Sequence, residues 1–100
     1  VNGRSSDRMP DVTVIVPGLL TRFTDGQRDV PVTADTLRGA VDRLVESYPA
    51  LEPHLFDGPD GLRTHVQLFH NGSGVEWDDG DVTELTDGDE VLVLQAVSGG

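Results

Sequence analysis

The sequence predicts an α+β fold in which one main helix packs on a mixed sheet of four to five strands, and three observations carry that prediction. Two valine-rich runs near the start of the chain alternate with period two. One long apolar stripe at helical spacing follows them, and two further apolar runs lie in the second half. At 100 residues, with 36% hydrophobic content and 12 glycines, the chain can build one small core and no more.

Residues 1–8 are polar and unpatterned, and are read as an expression scar or a disordered arm, with the native start at Met9. The domain is expected over residues 9–97. From Asp11, Val12, Val14 and Val16 alternate with Thr13 and Ile15, which is the signature of a strand, and Pro17-Gly18 stops it. Thr24-Asp25-Gly26 is a turn signal, and Arg28 to Val32 reads as the second strand of a hairpin. Pro31 cannot donate to a ladder, so this strand belongs at a sheet edge.

Thr33 to Thr36 supply N-capping oxygens for a helix. Beyond them Leu37, Ala40, Val41, Leu44, Val45 and Tyr48 form one stripe, with Arg38, Asp42, Arg43 and Glu46 on the solvent side. Pro49 ends the helix. Gly39 within it costs about 1 kcal/mol against alanine, which suggests close packing.

Leu51 to Phe56 is a short apolar segment of about one helical turn, and Gly58 to Gly61 is loop. His65 to His70 alternates again, Asn71-Gly72 begins a turn, and Val75 to Trp77 is read as a brief strand. An acidic loop spans Asp78 to Asp89. Glu90 to Val97 is the last strand, and residues 98–100 form a flexible diglycine tail.

Composition removes several functions. With no cysteine there are no disulfides, thiolate metal sites or cysteine nucleophiles. No apolar run is long enough to span a bilayer and no signal peptide is visible, so a cytoplasmic protein is expected. Seven arginines and no lysine face 13 Asp and 5 Glu, a net charge of −11 that argues against nucleic acid and anionic membranes. An Asp-rich, Lys-free composition also resembles the surfaces of proteins from salt-loving organisms, where salt screens the self-repulsion.

Catalytic constellations are missing. There is no phosphate-binding glycine loop with its lysine, no HExxH and no GxSxG. His65 and His70 lie five apart, on opposite faces of a strand, which is a poor start for a metal. Asp79, Asp81, Thr83 and Glu90 loosely match a calcium loop, but Glu84 stands where glycine is needed, so a solvated acidic turn is the better reading. Asn71-Gly72-Ser73 fits a glycosylation acceptor, a short pattern common by chance. No metal site is expected.

The chain end is the strongest signal. A strand that finishes in bare Gly99-Gly100 buries nothing there and carries the highest backbone entropy. A carboxylate with no side chain beside it can thread a narrow channel. The last strand is also apolar on both faces, because Val91 and Val93 alternate with Leu92 and Leu94. If the valines face the helix, then Leu92, Leu94 and Phe69 form an outer patch near the tail, unless another loop covers it.

Three blocks then make a resemblance specific: Val66-Gln67-Leu68-Phe69-His70-Asn71-Gly72, Leu85-Thr86-Asp87-Gly88-Asp89-Glu90-Val91 and Ala96-Val97-Ser98-Gly99-Gly100. With Tyr48-Pro49-Ala50-Leu51 after the helix, the chain resembles the ThiS/MoaD group of ubiquitin-like sulfur carriers over Asp11 to Gly100. It looks most like the small archaeal ubiquitin-like modifiers within that group. Gln95 departs from the pattern, at a position where the family often has proline.

The resemblance implies a β-grasp fold and a carrier or modifier that is not itself an enzyme. An activating enzyme would join the Gly100 carboxylate to AMP from ATP, with magnesium held by that enzyme and no cofactor bound here. Sulfur attack would give a thiocarboxylate, for delivery to a sulfur-accepting enzyme as in molybdopterin, thiamin or tRNA pathways. Attack by a target lysine would give an isopeptide bond. Gly99 and Gly100 are then the reacting end, and Leu92, Leu94, Phe69, Val97 and Ser98 the partner-binding residues. The rival expectation is a β-grasp interaction module whose Gly-Gly end is incidental.

Overall fold

The computed structural model describes residues 9–56, 61–63, 65–80 and 82–95. Their elements are β1 (Asp11–Ile15), a 3-10 helix (Gly18–Phe23), β2 (Asp29–Thr33), α1 (Leu37–Ser47), a 3-10 turn (Pro49–Leu51), α2 (Glu52–Leu55), β3 (Val66–His70), β4 (Ser73–Val75), a 3-10 turn (Trp77–Asp79) and β5 (Glu90–Gln95). The five strands form one sheet in the order β2-β1-β5-β3-β4. β1 and β5 are parallel at its centre, and every other pair is antiparallel. This is the mixed sheet with one main helix that the sequence predicts.

Alternation decides which face is covered. Val12, Val14 and Val16 of the β1 segment, Val30 and Val32 of β2, Val66 and Leu68 of β3, and Val91 and Val93 of β5 are all buried. Against them lie Leu37, Ala40, Val41 and Leu44, each 0% exposed, which is the apolar stripe of α1. Thr36 caps that helix, its hydroxyl accepting from the Gly39 amide at 3.1 Å. A Cβ on Gly39 would meet this same oxygen at 3.1 Å, which accounts for a small residue there.

Pro31 sits on an outer strand as expected, and the register explains how it is tolerated. The Val16 amide donates to the Arg28 carbonyl and the Ala34 amide to the Pro10 carbonyl, so even-numbered β2 residues bond inward. Pro31 is odd. Its missing donor therefore faces the open edge, where it also blunts strand addition.

Two elements differ from expectation. The β1–β2 connection is no plain turn: Gly18–Phe23 form a 3-10 helix that buries Leu20. Thr24 behind it is fully buried, with its hydroxyl 2.6 Å from the Gln27 carbonyl, and Asp25 and Gly26 then turn with positive φ. Second, the brief strand expected at Val75 to Trp77 runs instead from Ser73 to Val75. Trp77 opens a 3-10 turn because its ring has better partners off the sheet. It meets Phe56 edge-on at 5.3 Å, and the Arg38 guanidinium lies 4.6 Å over its face. Among the described residues, no helix is long and apolar enough to cross a membrane.

Candidate functional site

The site is built on the sheet face opposite α1. Leu92 of β5 lies directly across from Phe69 of β3 and from Ile15 of β1, so the three form one row. The row continues to Gly74 of β4, opposite Phe69, where an added Cβ would sit 3.6 Å from the Phe69 ring. One step further along β5, Leu94 pairs with Gln67. Leu92 and Phe69 are half-buried by these neighbours, whereas Leu94 is 40% exposed, so no loop among the described residues covers it.

Leu92, Leu94 and Phe69 are thus brought together as the alternation predicts. Ile15 completes the patch and was not among the expected site residues. The signal for it existed, since an aliphatic residue in the outward phase of a strand whose valines point inward has no core to enter. Val97, Ser98, Gly99 and Gly100 lie outside the described residues. The last described residue of β5, Gln95, pairs with Val66, with its amide nitrogen 3.5 Å from a ring nitrogen of His65.

The other end of β5 is fastened by the Leu85-to-Val91 block. The Asp87 carboxylate accepts from the Asp11 amide at 2.8 Å, and the Gly88 amide donates to the Asp11 carbonyl at 2.9 Å. Gly88 adopts φ +89, which a side chain would resist. Asp89 is the hub of this clasp. Its carboxylate receives His70 at 2.8 Å, the Thr86 amide at 3.0 Å, and the Asn71 amide and Thr86 hydroxyl at 3.1 Å each. His70 first, then the Thr86 amide and Asn71, hold the Asp89 carboxyl well below the usual carboxylate range, and burial opposes them only in part.

Asn71 completes the clasp from the turn between β3 and β4. It has φ +49 and is followed by Gly72 at φ +92, the conformation of a two-residue hairpin turn. Its side-chain oxygen accepts from the Glu90 amide at 2.9 Å, and its own amide donates to the Glu90 carbonyl at 3.0 Å. The acidic block is therefore a structural device that sets the register of β5 against both β1 and β3.

The histidines are separate. His70 belongs to the clasp, His65 stands beside Gln95, and His54 stacks on Phe23 with ring centroids 4.3 Å apart. Among the described residues no group of three or more His, Asp or Glu converges on a metal-sized point.

The family model described as the ThiS family matches residues 14–100. The chain belongs to the ThiS family. The sulfur carrier protein CysO of Mycobacterium tuberculosis is 35% identical over 92 residues, covering 90% of this chain and 99% of the relative. Its crystal structure aligns at a TM-score of 0.75 with 34% identity, covering 86% of this chain and 99% of that one. Small archaeal modifier protein 1 of Haloferax volcanii is 36% identical over 78 residues, 75% of this chain and 85% of the relative. A crystal structure of it aligns at 0.77 with 30% identity, over 90% and 99% of the two chains. A chain in the crystal structure of the Amycolatopsis orientalis BexX/CysO complex aligns at 0.74 with 25% identity, over 89% and 99%. Sulfur carriers and ubiquitin-like modifiers therefore share this fold, which is the β-grasp that the resemblance implied.

Proposed function

We propose that this chain is a ubiquitin-like carrier whose reacting atom is a carboxylate oxygen of Gly100. The single observation that carries the reading is that the ThiS-family match runs through to residue 100, so it includes the glycine terminus. In the first step a carboxylate oxygen bonds to the α-phosphorus of ATP, and the bond from that phosphorus to the bridging oxygen of pyrophosphate breaks. The product is a mixed anhydride, a good electrophile. A sulfur nucleophile then displaces AMP to give a thiocarboxylate, or a target lysine amine displaces it to give an isopeptide bond.

The activating enzyme holds ATP and magnesium and lowers the barrier, while this chain supplies the carboxylate and a docking face. Ile15, Leu92, Phe69 and Leu94 form that face; Val97 and Ser98, the further partner-binding residues of this reading, and Gly99, whose lack of a side chain would leave room in the channel, lie outside the described residues. With no cysteine, carried sulfur can reside only at the terminus. With no lysine, no side-chain amine on one copy accepts another.

The test is a denaturing pull-down of amino-terminally tagged protein from its native host, beside a copy lacking Gly99 and Gly100. Heavier species that vanish with the two glycines, and leave glycyl remnants on lysines, establish a modifier. An intact mass with one oxygen exchanged for sulfur establishes a sulfur carrier. Finding neither returns the chain to the status of an interaction module with an incidental Gly-Gly end.

A further inference from the structure

The chain has two asparagines, Asn2 and Asn71, and glycine follows both. An Asn-Gly pair can modify itself, because the backbone nitrogen of the glycine can attack the side-chain carbonyl carbon of the asparagine. Glycine has no side chain to shield that nitrogen. Asn2 lies outside the described residues, whereas Asn71 stands in the clasp.

Asn71 and Gly72 are both exposed, and nothing lies within 4 Å of the point where a Cβ on Gly72 would stand. Water therefore has access to the pair. Held as it is, the Asn71 side chain is nevertheless not placed to react. Its Oδ1 accepts from the Glu90 amide at 2.9 Å, and its Nδ2 donates to Asp89 Oδ1 at 3.1 Å. Its backbone amide donates to the Glu90 carbonyl at 3.0 Å. Both polar ends of the side-chain amide are thus fixed against the start of β5. Ring closure requires the amide to leave these partners and turn its Cγ to the Gly72 nitrogen, because attack succeeds only from a near-attack geometry. Nδ2 is also the atom that a glycan would take at Asn71-Gly72-Ser73, so that modification would have to break the same bond.

We propose that Asn71 is a self-modification site guarded by the clasp: the bonds to Glu90 and Asp89 hold its side chain off the Gly72 nitrogen, and each opening of the clasp exposes it to ring closure. In that step the Gly72 nitrogen bonds to Asn71 Cγ and the bond from Cγ to Nδ2 breaks. The hydrogen of the Gly72 amide leaves with Nδ2 as ammonia. Water, the only co-reactant, then opens the five-membered imide. Cleavage of the new bond to Cγ gives aspartate on an unchanged backbone. Cleavage of the bond to the Asn71 main-chain carbonyl carbon gives isoaspartate, with the main chain routed through Cγ.

Either product weakens the clasp. Aspartate at position 71 has no amide hydrogens to donate to Asp89. It also sets a second carboxylate against one that already accepts from His70 and from the Thr86 amide and hydroxyl, and like charges at that separation repel. Isoaspartate lengthens a turn in which Asn71 and Gly72 hold φ +49 and φ +92. The clasp sets the register of β5, so the change loosens that strand, and it is not reversed by refolding.

The test incubates the full chain at mildly alkaline pH, native and in urea above its unfolding transition. Peptide mass spectrometry assigns the rise in mass to each asparagine, with Asn2 as the reference within the same sample. The ratio of conversion at Asn71 to conversion at Asn2 should be lower in the native chain than in urea by about tenfold or more. Asp89→Asn, shown to be folded by circular dichroism, should raise the native ratio about threefold or more. Asn71→Asp should unfold at a lower urea concentration than the parent. A native ratio equal to or above the ratio in urea overturns the proposal. So does an unchanged ratio in folded Asp89→Asn, or an Asn71→Asp midpoint at or above that of the parent. The comparison of native with unfolded parent needs no substitution, so it decides the matter if Asp89→Asn does not fold.

Discussion

The two faces of β5 carry equally apolar residues and serve different ends. Val91 and Val93 are 0% exposed beneath α1, while Leu92 is half-buried and Leu94 is 40% exposed on the open face. Identity does not separate them, since each face has two aliphatic residues one methylene apart. Position does. The valines lose contact with water entirely, which stabilises by about 1.5–3 kcal/mol per side chain. The leucines retain exposed surface, which is what the proposed docking would bury. One strand thus joins the core to the open face in adjacent residues.

The largest expected effect comes from breaking the inner face. Val93→Asp buries an unpaired carboxylate under α1 and should leave no cooperative unfolding transition at neutral pH in a urea titration. A milder lesion in the facing helix, Leu44→Ala, should cost about 2–5 kcal/mol by the same measurement.

The clasp at the start of β5 comes next. Asp89→Asn removes the charged acceptor of four hydrogen bonds and should cost about 1–3 kcal/mol at pH 7. The pH dependence has a definite sign. The folded-state pKa of Asp89 is lowered, so its contribution is fully present above the unfolded value near 3.9 and is lost as pH falls through that value and below it. Urea midpoints between pH 7 and pH 3 should therefore fall less steeply for Asp89→Asn than for the parent. Parallel curves would remove Asp89 from the account of acid sensitivity.

On the outer face the order of effects reverses. Leu94→Asp should change stability by no more than about 0.5 kcal/mol, yet weaken calorimetric affinity for the activating enzyme at least tenfold. Unchanged affinity would take the patch out of the docking argument. Gly99 replaced by a bulky residue should leave the melt unaltered while abolishing ATP–pyrophosphate exchange. The smallest effect is on salt. At −11, added KCl should raise the melting midpoint by a few degrees through screening alone.

Much of this was readable in the chain. Alternation placed Val12, Val14 and Val16 inward, the helical stripe chose the buried face of α1, and Pro31 required an edge. These are local signals, because a strand or helix exposes its faces with a fixed period whatever packs on them. The block around Gly88 was legible for the same reason, as a residue whose backbone demands are its own.

Long-range pairing was not local, and it decided the rest. That Leu92 meets both Ile15 and Phe69 depends on β5 inserting between β1 and β3, which no window of sequence contains. Asp89 reads in the chain as one acid in an acidic loop, and becomes a hub only when β3 and its turn bring His70 and Asn71 to it. Trp77 left its expected strand for Phe56 and Arg38, 21 and 39 residues away in the chain. The sequence by itself determined periodicity and turn chemistry, because each is set by neighbouring residues. Tertiary structure decided what those elements face, because burial and charge act through space.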